Sequence, residues 1–553
     1  MPRLTTMLGG LALLLLSQSG HAQDAPPARD WTTWGYDQER TGWNRGETTL
    51  TKDNVSGLRL KWSAKLSTPP TPIALSTLTA PLVAEGVGTP GGPKDLVFTL
   101  GADDTLFALD ADTGKVVWQK TFPNSIQPHK RANWLCPNTT NDTPVIDKQR
   151  GIIFFITSDG KLRGLNLADG ADRMAPVDMV APFTRAWSLN LIDNVVYTTS
   201  GRACGEVLDK NSDLFAAARP PRPGFVLTDP SAVTAMDVHD LDHPVMTRFF
   251  TSDARPAAPW GRGGLAKGPG NSLILETSDG LYDAMAGNYS DSILKLAPRA
   301  TRLMDSFTPA NHHYLLFHDL SGSATPVVFP FGGKTLIATS QKEGVLRLLD
   351  ASNLGGGTPN HDKPLYQSPQ LGNDAAQGTD PGQGVWGAIA TYQTADGRRF
   401  LYIPMWGPPS KDVLPFQHTD GAAPHGSIMA FQVTGTADKP ELTGQWESGD
   451  LIMPDPPAVA NGVVYALSTG GQALQNATVP GGKRLDQATT GAVFRATPVG
   501  NLTLYAYDAE TGKQLYSSRQ IIKDWVHFSE PVVALGKVFV VTHDAHVYAF
   551  GLR

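Results

Sequence analysis

Leu106-Phe107-Ala108-Leu109-Asp110-Ala111-Asp112-Thr113-Gly114-Lys115 returns near the other end of the chain as Leu504-Tyr505-Ala506-Tyr507-Asp508-Ala509-Glu510-Thr511-Gly512-Lys513. Weaker copies lie at 162–170, 345–355 and 428–435. Each reads as a strand running into a tight turn. Alternating apolar side chains fill one face of the strand. The Asp accepts hydrogen bonds from the turn backbone, and the Gly supplies a positive φ. In the first copy Val116-Val117-Trp118 then opens the next strand.

Outward from these turns, a second set of apolar runs recurs: 96–100, 152–157, 195–200, 273–277, 335–340, 400–405, 463–468 and 538–542. They define eight strand-centred units of about 66 residues, long enough to carry large loops. The Gly- and Pro-rich stretches 205–230, 352–385, 407–426 and 470–498 read as those loops. No unit has the apolar surface to stand alone, whereas radial packing of four-stranded sheets buries both faces and shields the edges. The expected fold is therefore all-β: one eight-bladed propeller of four-stranded antiparallel blades over residues 23–553. A seven-bladed ring is the alternative, because the unit near 195–250 is irregular. Ring closure needs a partner for the last strands, and Leu58-Arg59-Leu60-Lys61-Trp62 near the start is suited to it.

Composition agrees. Of 553 residues, 56 are Gly and 43 Pro, and aromatics make up 8%, which favours many short strands over a helical bundle. The formal charge of −6 lacks the basic face of a nucleic-acid binder. Residues 1–22 read as a secretory signal: Arg3, an apolar run from Met7 to Leu16, and small residues at Gly20 and Ala22. Nothing later is long enough to span a bilayer. The expectation is an exported, most simply periplasmic, protein. The two cysteines, Cys136 and Cys204, then suggest one disulfide. No Cys-x-x-Cys-His is present, so no covalent haem is encoded.

Trp31-x-x-Trp34-Gly35-Tyr36-Asp37, Leu50-Thr51-Lys52-Asp53-Asn54-Val55-x-x-Leu58-x-x-x-Trp62, the repeated turn and Gly287-Asn288-Tyr289-Ser290-Asp291-Ser292-Ile293-Leu294-Lys295-Leu296 together resemble the quinoprotein alcohol dehydrogenase-like propellers, built on pyrroloquinoline quinone (PQQ) repeats. The resemblance covers nearly the whole chain after the signal. It implies PQQ near the propeller axis, a Ca²⁺ or lanthanide ion beside it, and a carboxylate that removes the alcohol proton. Trp260 resembles the residue that stacks on the quinone; it also suits packing between blades. Lys342 resembles the cation that meets the quinone oxygens, and equally a solvated turn residue. Asp279 resembles the position of a metal-binding Asn, and equally caps a turn before Gly280.

The chain departs from the family pattern in three places. The adjacent cysteines that cover the quinone are absent. Ala203 stands where the resemblance places a metal-binding Glu. Asn311 stands where it places the catalytic Asp, and an amide is no general base; Asp319 is the nearest substitute. Trp134, Cys136, Asn138, Arg202 and Cys204 read either as an alternative, disulfide-held local site near the axis or as braces for long loops. His312-His313 and His543-Asp544-Ala545-His546 read as surface or turn histidines. Two functions are compatible with these residues. One is a PQQ-dependent oxidoreductase acting on an alcohol or polyol, passing electrons to a separate acceptor. The other is a non-catalytic periplasmic propeller that binds a protein or small ligand.

Overall fold

The computed structural model describes residues 29–71, 76–126, 142–201, 231–252, 257–278, 280–374, 383–471, 478–479, 483–484 and 496–553. The signal segment, Cys136, Cys204 and Asp279 lie outside them, as do Trp134, Asn138, Ala203 and Arg202.

The apolar runs do what their pattern requires. Each becomes the second strand of an antiparallel blade, flanked by an innermost strand on one side and two outer strands on the other. The blades occupy 82–121, 145–178, 190–250, 258–307, 327–370, 384–447 and 458–517, and the last is 532–551 joined by Arg59–Lys65. Eight blades are present, not seven. Closure uses the expected segment: Arg59–Lys65 pairs antiparallel with His546–Gly551 and becomes the outer strand of blade 8. Chain order gives the innermost strand first in every complete blade, so each blade is a meander. Stretch 352–385 is not wholly loop, because Tyr366–Gln370 is the outer strand of blade 5.

Both faces of a blade are buried, which is why its second strand is apolar at nearly every position. On Leu273–Ser278, Leu273 and Leu275 pack towards blade 3, while Ile274 packs with Ile337 and Leu349 of blade 5. The repeated turns explain how adjacent blades lock. The Asp110 carboxylate accepts from the Asp112 and Thr113 backbone N–H groups. Gly114 has φ +70°, and any Cβ there would lie 2.5 Å from the Trp62 ring of blade 8. The Trp62 indole N–H donates to the Ala111 carbonyl at 3.0 Å. The same arrangement joins Trp118 to Leu167 O and Gly170, and Trp446 to Ala509 O and Gly512. The turn Gly is thus required twice, by its backbone angle and by the indole seated on it.

The N-terminal segment has a role the repeats do not announce. It passes around one end of the axis and bonds to every blade in turn. Trp31 pairs with Val83, Thr32 O accepts from Ile146 N, and Thr33 Oγ1 donates to Leu189 O. Gln38 O, Glu39 O, Thr41 O and Gly42 O accept from Lys267, Val328, Thr391 and Val459. Asn44 Nδ2 donates to Val533 O of blade 8 at 2.8 Å. Inside this strap Arg40 is fully buried; its guanidinium donates to Leu265 O, Trp34 O, Leu189 O and Thr33 Oγ1. Glu530 accepts from Trp31 Nε1 and Gly35 N. Burial pushes the Glu530 carboxyl up to about 8 and the Arg40 guanidinium down to about 9, each opposed by the other's charge. The strap lies across this end of the ring.

Among the described residues the one α-helix is His312–Phe317, and no helix is long and apolar enough to cross a membrane.

Candidate functional site

The innermost strand of blade 4 is interrupted. Ala258–Trp260 pairs with the second strand, the chain leaves the ladder at Gly261-Arg262-Gly263-Gly264, and pairing resumes at Ala266–Lys267. Glycines permit this bulge. Gly261 has φ +121°, and a Cβ there would lie 2.5 Å from Thr325 Oγ1; one on Gly263 would meet the Trp34 ring of the strap at 2.6 Å. The bulge delivers Trp260 and Arg262 towards the axis.

Trp260 is buried beside Trp187, with ring centroids 5.1 Å apart, and Trp187 meets Phe528 edge-on at 6.4 Å. Trp187 is fixed by its indole N–H, which donates to Pro259 O at 2.8 Å. The Arg185 guanidinium lies 4.6 Å over the Trp260 ring. Lys342 Nζ is 5.9 Å from the Trp260 ring and 5.0 Å from that of Trp386. Trp386 in turn stacks on Trp406 at 4.7 Å, with planes 10° apart. Cations beside indole faces are favourable here, where burial weakens competing hydration.

Lys342 sits in the turn after the second strand of blade 5 and is not a solvated turn residue: its side chain is 7% exposed. Its carbonyl accepts from Asn373 Nδ2 at 2.7 Å. Gly384, at φ +92°, packs so tightly on that carbonyl that a Cβ has no room. Lys342 Nζ donates to Asp319 Oδ1 at 2.9 Å, and the Asp319 side chain is 47% exposed. Asp319 comes just after the short helix with φ +56°, a strained angle for a residue with a Cβ. Three residues named from the sequence, Trp260, Lys342 and Asp319, therefore meet at one end of the axis. Asn311 is nearby in chain and engaged elsewhere: its Nδ2 donates to Glu343 Oε2 at 3.0 Å, and Glu343 Oε1 pairs with Arg347 at 2.6 Å. His312 and His313 lie on the helix rather than a strand, with rings 4.2 Å apart.

Arg185, Trp386, Trp406 and the Arg262–Asp455 pair escaped the sequence reading. Arg262 reaches across the axis to Asp455 of the blade 6–7 connection, with Phe528 4.0 Å from its guanidinium. Burial raises the Asp455 carboxyl, and the guanidinium beside it opposes that shift. A signal for the aromatic part was available. Trp34, Trp260, Trp386 and Trp406 each precede a Gly, and these four glycines all have positive φ. Trp-Gly marks a chain turning at the axis.

Among the described residues no three His, Cys, Asp or Glu side chains converge as a metal site. At the strap end, a cleft of about 550 Å³ is lined by Asp30, Asp37, Lys148 and Asn190. Its acids are already matched, Asp30 with Lys148 and Asp37 with Arg45, so the Trp260 end is the better functional candidate.

No curated protein matches this sequence. Among solved structures, a europium-containing methanol dehydrogenase superposes with a TM-score of 0.60 at 13% identity, covering 96% of this chain and 99% of that one. A quinohemoprotein alcohol dehydrogenase from Comamonas testosteroni gives 0.56 at 15% identity, covering 96% and 82%. A quinohemoprotein alcohol dehydrogenase from Pseudomonas putida HK5 gives 0.57 at 14%, covering 95% and 80%. These identities establish a shared fold. A family profile described as outer membrane protein assembly factor BamB matches residues 52–227 and 446–552, just over half of the chain. With its eight blades and repeated indole-seated turns, the chain belongs to that family of PQQ-repeat propellers, as a divergent member.

Proposed function

We propose that the protein is an exported, periplasmic quinoprotein-like oxidoreductase that binds PQQ over Trp260 and oxidises an alcohol or polyol. The observation that carries this reading is the Asp319–Lys342 pair beside the Trp260 ring. The residues present fit the organic cofactor: an indole face for a flat ring system, and two cations, Arg185 and Lys342, for its anionic groups. When bound, such a quinone accepts the hydride of the alcohol carbon. Asp319 is the group exposed enough to accept the hydroxyl proton, and Lys342 orients it through their 2.9 Å contact. Lys342 would also supply positive charge beside a quinone held over Trp260. Electrons leave to a separate acceptor. Among the described residues no cluster of three carboxylates or imidazoles adjoins the Asp319–Lys342 pair, so no step is assigned to a metal.

The test is titration of the purified mature protein with PQQ, with and without Ca²⁺ or La³⁺, followed by calorimetry. Binding near one equivalent, and alcohol-dependent reduction of an artificial acceptor, are expected. No heat and no turnover at micromolar PQQ would overturn the reading. One observation favours a second reading, a ligand- or protein-binding scaffold: the Arg185 guanidinium already lies over the Trp260 ring. That reading expects an anionic ligand or partner protein to be held without turnover.

A further inference from the structure

Three buried arginines are answered by oxygens of the chain. Arg40 gives its donors to four of them. Arg262 pairs with Asp455, and Arg347 with Glu343. Arg399 is held differently. It opens the second strand of blade 6, opposite Gln393 of the inner strand, and is only 3% exposed. Its Nη2 donates to Gln393 Oε1 at 2.8 Å, and its Nε has no hydrogen-bond partner. Among the described residues no carboxylate acts on it. The acids of the adjoining turn and of the strap are committed elsewhere, Asp396 to Arg398 and Asp37 to Arg45.

A second guanidinium adjoins the same ring. Arg45 Cζ lies 4.6 Å from the centre of the Trp43 ring and Arg399 Cζ 6.0 Å from it. Arg399 Cζ is also 5.6 Å from the Phe329 ring of blade 5. Such distances are at the outer limit of a useful cation–π contact, so the rings do not replace a counterion for Arg399. Trp43 is itself fixed, pairing with Val459 of blade 7 and meeting Tyr392 edge-on at 5.2 Å. Burial, and after it the like charge of Arg45, push the Arg399 guanidinium down to about 10. The Arg45 side chain is 36% exposed and gives Nη1 to Asp37 at 2.7 Å, so the place is open to solvent on its side. Buried charges are ordinarily paired. Here a buried cation lacks a partner and a second cation stands beside it.

We propose that Arg399 and Arg45 form an oxyanion-binding site at the Trp43 ring, and that it takes a phosphate group. Two guanidinium forks on separate elements suit a tetrahedral anion, which offers oxygens to more than one side, better than a planar carboxylate. The bound anion supplies the charge that Arg399 lacks and ties the end of the strap to blade 6. The site lies off the axis, away from Trp260, and rests on neither reading of that end.

Inorganic phosphate is the probe. Purified mature protein, dialysed free of phosphate, is titrated by calorimetry and melted in millimolar phosphate against chloride of equal ionic strength. General salting effects of phosphate grow with concentration without saturating, so a saturable rise in Tm reports a site. Binding near one equivalent and that saturable rise are expected. A glycerol monophosphate arm separates the sources: an ester that binds like the free ion makes a phosphate-bearing metabolite the ligand, and one that fails leaves free phosphate. Arg399→Met should weaken phosphate binding at least about tenfold, as loss of a charged hydrogen-bond donor does. In phosphate-free buffer the same variant should melt no lower than the parent, because it removes a buried charge that has no partner. The proposal is overturned if phosphate does no more than chloride, or if Arg399→Met responds to phosphate as the parent does. Should Arg399→Met fail to fold, the more exposed Arg45→Gln is read the same way, and an unchanged phosphate response there also overturns it.

Discussion

The two ends of the axis are built by opposite rules. At the strap end a fully buried guanidinium spends its donors on backbone and hydroxyl oxygens, and a fully buried carboxyl is met by an indole and a backbone N–H. Groups there are held by the chain itself. At the Trp260 end the cations lie against aromatic faces and the Asp319 partner of Lys342 is half-exposed. A charge fully matched within the fold contributes stability and has nothing left for a ligand. A charge half-open to solvent, as that of Asp319 is, stays within reach of a ligand. The difference separates a closure from a site on one ring of eight similar blades.

Breaking the closed end should cost the most. Arg40→Ala leaves buried carbonyls without a donor and Glu530 without its cation. The expected loss is about 3–5 kcal/mol, the usual result of removing one member of a buried charged set, read by chemical denaturation. Any PQQ affinity measured on the folded fraction should be unchanged; a parallel loss would mean the two ends are coupled. Next comes the seam between blades. Gly114→Ala forces a Cβ into the left-handed region and against Trp62, for about 2–4 kcal/mol of strain and overpacking together. Trp62→Phe in the same background should recover part of that loss, since the smaller ring leaves room.

The repeats made the seam readable. Asp110 as turn acceptor, Gly114 at positive φ and the eight second strands all arise from local pattern, because each is set by residues within a few positions of one another. The closing strand was readable too, since an eight-unit ring needs a partner for its last strands and Leu58–Trp62 alternates correctly. The strap was not. Its bonds run from consecutive residues to blades hundreds of positions apart, and backbone carbonyls leave no trace in side-chain pattern. At the other end Trp260 and Lys342 were named from a resemblance and Asp319 as the nearest carboxylate after Asn311, and Lys342 lies beside both the Trp260 ring and Asp319. Arg185 was missed because a buried cation on an indole looks like any other Arg in a loop. The tryptophans do sort by their next residue: those before Gly turn at the axis, whereas Trp62, Trp118 and Trp446, which precede other residues, sit on the turn glycines of a neighbouring blade.

A pH titration sharpens the contrast further. Glu530 is raised to about 8 in the folded chain, from an ordinary value of 4.5. The native state then holds a proton that the unfolded chain gives up. Its contribution is complete below about pH 4.5 and is lost as pH rises towards 8, with a slope approaching 1.4 kcal/mol per pH unit. Glu530→Gln keeps an acceptor for Trp31 and Gly35 and cannot ionise. Stability between pH 5 and 8 should therefore be flatter than in the parent. An unchanged slope would mean that the strap's carboxyl is ionised throughout and held so by Arg40.

The smallest effect on stability should come from the residues that matter most to the proposed chemistry. The Asp319 side chain is 47% exposed, so its pairing with Lys342 is discounted by solvent screening to about 1 kcal/mol or less. Asp319→Asn keeps the shape and an acceptor for Lys342 while removing the base. It should fold like the parent, bind PQQ with similar affinity and lose alcohol oxidation by a factor of about 100 or more, the usual contribution of a general base. Lys342→Ala should instead weaken PQQ binding, because it takes away a cation beside Trp260. The pair separates the two readings of the Trp260 end. If Lys342→Ala weakens binding and Asp319→Asn changes nothing measurable, the site holds an anion without turning it over, and the scaffold reading stands. If both variants leave binding untouched yet unfold readily, the Trp260 end obeys the same rule as the strap, and the contrast between the ends is lost.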